Sequence, residues 1–96
     1  MLVHITTQEL CQRIDLSEET LEEIVEHGIV EPRGEKPEEW TFDIDYVWVV
    51  RRAARLHRDL GIDWAGIALV LELLNERERL VEENRMLQRR LRRFEV

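Results

Sequence analysis

The chain has 96 residues, 44% apolar and 36% charged, with a net charge of −7 and one cysteine. That length gives one compact domain, with at most an appended helix, and a core of modest stability. No apolar run approaches the ~18 residues of a membrane span, no leader-like segment opens the chain, and Cys11 has no partner for an internal disulfide, so a cytoplasmic protein is expected.

The placement of the charge says more than its total. Residues 1–45 hold three basic side chains, Arg13, Arg33 and Lys36, against thirteen acidic ones, a balance of −10. Residues 46–96 hold eleven arginines against eight acids, a balance of +3. An acidic front half repels phosphate and attracts basic protein surfaces.

In chain order, residues 1–6 alternate loosely and predict a short strand. Thr6-x-x-Glu9 then matches a capping box for a first helix with Leu10, Cys11 and Ile14 inward. After a turn at Asp15-Leu16, Ser17 caps a second helix with Glu18 and Glu19 in its first turn, and Leu21, Ile24 and Val25 inward. Gly28 is its natural stop. Two short helices joined by a tight turn predict a helix-turn-helix. Ile29-Val30 and Trp40-Thr41-Phe42 are strand-like around a turn-rich loop, which predicts a β-hairpin wing. Asp43 is expected to cap a third helix over roughly 44–60, ended by Gly61, and Asp63 a fourth that runs from Trp64 to near the C-terminus.

The last helix carries a heptad. Leu73, Leu80, Leu87 and Phe94 recur every seven residues, and Val70, Arg77, Asn84 and Leu91 occupy the offset series. The stripe either packs on the chain's own domain or pairs two chains; its reach past so small a core points to self-association. The expected division is a domain over 1–62 and a dimerisation helix over 63–96. Leu73, Leu80, Asn84, Leu87, Leu91 and Phe94 are its expected contact residues.

This order of elements resembles the MerR-type winged-helix group and, within it, the CbpM family of chaperone modulatory proteins. The resemblance rests on Ser17-Glu-Glu-Thr-Leu-Glu-Glu-Ile-Val25, Gly28-Ile-Val-Glu-Pro-Arg33, Trp40-Thr-Phe-Asp43, Arg52-Ala-Ala-Arg-Leu56, Asp63-Trp-Ala-Gly-Ile-Ala68 and Glu83-Asn-Arg-Met-Leu87. It implies a mainly α fold with a small wing and a long C-terminal helix. It also implies a dimer that binds the J-domain of a DnaJ-like, curved-DNA-binding co-chaperone, inhibiting its work with DnaK and its DNA binding. By the same resemblance, a J-domain of that kind is expected to present a basic helix to DnaK.

The residues can be weighed against that implication. The alternative is a MerR-like DNA-binding transcriptional regulator, whose second helix would enter the major groove with donors toward bases and phosphates. Here that helix offers Glu18, Glu19, Glu22, Glu23 and Glu26 and no Lys or Arg. Such a row opposes the phosphate contacts that supply most nonspecific affinity. It suits a basic helix, although a solvated helix face would look the same. Trp40 and Trp64 read as core or hinge residues. Trp48 lies on a helix with too many apolar positions for one buried stripe, so part of that surface is expected to meet a partner. The basic strip of Arg51, Arg52, Arg55 and Arg58 beside it suits the chain's own acidic half or a second subunit better than nucleic acid, and Trp48, Arg51 and Arg55 join the expected partner-binding set. His4, His27 and His57 are scattered, no metal spacing or phosphate-binding glycine loop is present, and Cys11 reads as core. No enzyme activity, cofactor, membrane contact, direct nucleic-acid binding or small-molecule substrate is expected.

Overall fold

The computed structural model describes residues 3–95. Strand β1 (His4–Thr6) leads directly into α1 (Thr7–Ile14), and α2 (Glu18–Glu26) follows. A single 3-10 turn, Pro37–Glu39, precedes β2 (Thr41–Asp43), then come α3 (Tyr46–Leu60) and α4 (Trp64–Phe94). The strand expected over residues 1–6 is β1; Met1 and Leu2 lie outside the described residues.

Local chemistry sets the helix starts. Thr6 forms the full capping box, its hydroxyl accepting from Glu9 N at 3.2 Å while the Glu9 carboxylate accepts from Thr6 N. The Ser17 hydroxyl accepts from Thr20 N at 3.1 Å, and the Asp63 carboxylate from Gly66 N at 2.8 Å. Each cap satisfies an amide that the first turn leaves without a helical partner. The tight turn between α1 and α2 pivots on Asp15, which adopts the left-handed conformation at φ 58. Gly61, at φ 65, ends α3 in that same conformation, where a residue without Cβ is unstrained.

Two expectations are corrected. Asp43 does not cap α3: its carboxylate accepts from Asp45 N at 3.0 Å, and the helix starts at Tyr46. The reason is strand pairing, because the Ile44 amide donates to Val3 O at 2.9 Å and prolongs the ladder past Asp43. Ile29-Val30 is not a strand either. The β2 ladder is antiparallel to β1, with Ile5 opposite Phe42, and on its other edge β2 meets the rest of the described residues only through an Arg33–Thr41 bridge. Arg33 and Thr41 exchange both backbone hydrogen bonds, at 2.9 and 3.0 Å, and so close the wing loop. Val30 goes into the core instead.

One core unites the domain. Leu10, Leu21, Ile24, Phe42, Val50 and Ile67 are fully buried side chains, with Ile5, Cys11, Val30, Val47, Ala53 and Trp64 around them. Each large side chain of that set contributes roughly 1.5–3 kcal/mol by burial. Trp64 and Ile67 come from α4, so the packed unit continues past residue 62 and takes in the first turns of that helix. His57 fastens the junction: its ring stacks on Trp64 at 4.1 Å, and its Nδ1 lies 2.6 Å from the Ile62 carbonyl. Beyond Leu74 every described side chain of α4 is exposed. The projecting helix stretches the molecule to 59 Å along its longest axis.

Candidate protein-binding site

The second helix presents an unbroken acidic face. Leu21 and Ile24 turn inward, so the positions between and around them turn outward, and Glu18, Glu19, Glu22, Glu23 and Glu26 are all exposed. Ser17 starts the helix, and Glu18 and Glu19 then sit at the positive end of its dipole. The row has two sides. Glu18 and Glu22, one turn apart, line an open groove of 460 Å³ whose far wall is Glu38, Glu39 and Trp40 of the wing, while Glu19, Glu23 and Glu26 do not line it. Thr6, Thr7, Gln8, Pro37 and Thr41 complete its lining. Trp40 is half-buried there and meets the fully buried Phe42 edge-on at 6.2 Å.

Residues Glu38, Glu39 and Trp40 were missing from the set expected to bind a partner. The acidic pair after Pro37 is visible in the sequence, but only the 3-10 turn and the closure of the loop at Arg33–Thr41 bring it opposite α2. Gly34 permits that closure. It adopts φ 110, and a Cβ there would lie 2.7 Å from the Glu39 carbonyl oxygen.

The other expected partner residues stand on a different element. Trp48 is 71% exposed on α3, and the Arg51 guanidinium lies 5.4 Å from the centre of its ring. Arg52 and Arg55 are exposed on the same helix, and Arg51 is half-buried. These side chains line none of the groove, so the acidic row and the Trp48–Arg55 strip are two surfaces of opposite charge.

A third surface runs along α4. Leu73, Leu80, Leu87, Leu91 and Phe94 are all at least half exposed, Phe94 at 86%, and Asn84 lies among them. Leu69, 56% exposed, extends this stripe by one turn. Sequence spacing missed it because it occupies a flanking heptad position. The faces beside the stripe are tied by ion pairs: Arg79 bridges Glu76 and Glu83, and Glu82 meets Arg85 at 3.7 Å and Arg89 at 3.4 Å. The hydrogen bond from Arg79 holds the Glu76 carboxyl below its ordinary pKa.

Among the described residues no three His, Cys, Asp or Glu side chains come together as a metal site, and no helix is long and apolar enough to cross a membrane. Cys11 is buried in the core, and that burial, with the charge of Glu18, pushes its thiol pKa up.

A family model described as MerR HTH family regulatory protein matches residues 5–89. The chain is 50% identical to a protein called chaperone modulatory protein CbpM from Pseudomonas putida (strain W619), over 98% of this chain and 93% of that relative. The protein of the same name from Pseudomonas entomophila (strain L48) is 49% identical over the same shares. The one from Citrobacter koseri is 47% identical over 96% of this chain and 91% of its own. By these matches, which run through both the acidic helix and most of the projecting one, the chain belongs to the MerR HTH family and, within it, to the family of chaperone modulatory proteins CbpM.

Proposed function

We propose that the chain is a chaperone modulator. It binds the J-domain of a DnaJ-like, curved-DNA-binding co-chaperone and inhibits both its work with DnaK and its DNA binding. The observation that carries this is the charge of α2: five exposed carboxylates and no base, continued across the groove by Glu38 and Glu39. A basic helix laid against that face meets carboxylates on both walls and the half-buried Trp40 on the far one. Exposed charges of this kind mainly speed and orient association, while apolar anchors hold the complex. The same face would repel a DNA duplex, which disfavours a DNA-reading regulator.

The active form is a homodimer paired through the α4 stripe. A continuous row of exposed leucines ending in Phe94, carried past the domain's own core, is the kind of surface that soluble proteins cover. The role is regulatory rather than catalytic.

Titration of an isolated J-domain at low and moderate salt tests the central claim. Binding is expected with an association rate that falls as salt rises. Absence of binding at low salt with J-domain on the order of tens of micromolar overturns it.

A further inference from the structure

The strip on α3, expected from the sequence to share the partner surface, lines none of the groove and takes no part in the J-domain contact proposed above. Trp48, Arg52 and Arg55, at helical spacings of four and three, share the face that points away from the core residues Val47, Val50 and Ala53. Arg51 flanks them and lies over the indole, an arrangement that holds both side chains in place before anything binds. Among the described residues none of these three arginines is in an ion pair, and the nearby Asp59 is taken by Arg58 at 3.3 Å. Along one edge of the strip run the half-buried Val49 and Leu56 and the exposed Leu60.

The surface is therefore cationic, centred on an aromatic, and bordered by aliphatic side chains. Tryptophan and arginine are the residue types that most often anchor protein interfaces. A phosphate polymer has no aliphatic side chains to cover Leu56 and Leu60, whereas an acidic amphipathic segment offers both carboxylates and apolar cover.

We propose that this strip is a second docking site, for an acidic amphipathic helix of a protein partner, filled independently of the acidic groove. Apolar side chains of that helix cover Trp48, Leu56 and Leu60, and its carboxylates pair with Arg51, Arg52 and Arg55.

The test is a titration of the full chain with a synthetic amphipathic helix that carries leucines on one face and glutamates beside them, followed by tryptophan emission. An oligo-dT strand and the isolated J-domain are titrated in parallel. The acidic peptide is expected to bind the wild type and to lose about tenfold in affinity to the variant Arg51→Glu, Arg52→Glu, Arg55→Glu, while J-domain affinity stays within about twofold. The corresponding triple Gln variant, which removes charge without reversing it, is expected to weaken the peptide in the same direction. Trp48→Phe should remove most of the emission change.

Three outcomes overturn the proposal. Peptide affinity equal in wild type and both triple variants is the first, oligo-dT bound in preference to the peptide is the second, and J-domain affinity lost in parallel with the peptide's is the third. A wild type that ignores the J-domain but binds the peptide refutes the groove's assignment and leaves this one standing.

Discussion

Gly34 is the single residue on which the groove depends most. Its φ of 110 is open to few other residues, and an added Cβ would press on the Glu39 carbonyl oxygen at 2.7 Å. Gly34→Ala is therefore expected to cost at least ~1 kcal/mol in urea unfolding and to weaken J-domain binding, because Glu38 and Glu39 must move. Cys11 allows a different kind of check. Burial raises its pKa, so the folded state prefers the neutral thiol. Its contribution to stability is complete below the ordinary thiol pKa and is lost as the pH rises through the raised folded value, so the protein should weaken on the alkaline side. At neutral pH the native thiol should resist alkylation and react once urea unfolds the chain. Modification of the folded protein at the rate of a free thiol would contradict the burial.

At the scale of the element, α2 is the decisive piece. Reversing Glu19, Glu22 and Glu26 to Lys should leave the helical circular dichroism intact, since all three are exposed, and weaken J-domain binding about tenfold. Of the three only Glu22 lines the groove, so Glu22→Lys alone should account for most of the loss. Equal losses from Glu19→Lys and Glu22→Lys would spread the contact over the whole helix face. The caps of α1, α2 and α4 were legible in the sequence because each is a local bond between a side chain and a backbone amide three residues on. The start of α3 was not, because the Ile44 amide is claimed by Val3, some forty positions earlier in the chain. The wing's strand partner failed for the same reason. Hydropathy marked Ile29-Val30 and Trp40-Thr41-Phe42 as similar segments, but pairing is decided by which neighbour buries Phe42, and that neighbour is Ile5. The acidic wall of α2 could be read from one helix, whereas the opposite wall at Glu38 and Glu39 exists only after folding.

For the whole molecule, the expectation is that the wild type sediments as a dimer, near twice the 11.6 kDa of the chain, and that Leu80→Glu with Leu87→Glu sediments as a monomer. Each of these leucines would contribute up to ~1.5–3 kcal/mol in a pair, so losing four of them across two chains is decisive. The charges of α4 also favour a direction. Residues 84–95 carry five arginines against Glu95, while residues 64–83 carry five glutamates against Arg77 and Arg79. Antiparallel pairing sets these unlike ends side by side, and parallel pairing sets like on like. A cysteine placed at Phe94 should then crosslink to one at Val70 of a second copy and not to its own equivalent. The twenty residues of α4 beyond Leu74 span about 30 Å at 1.5 Å per residue. Paired in this way, they would make a rod holding two acidic grooves apart at fixed spacing. Such a particle would be a bivalent grip: against a co-chaperone that displays two J-domains, the second groove is expected to close at the effective concentration set by the rod, raising avidity by about 10²–10⁴ over one groove. The monomeric Leu80→Glu, Leu87→Glu variant should bind a lone J-domain as well as the wild type does, yet inhibit the paired target far less.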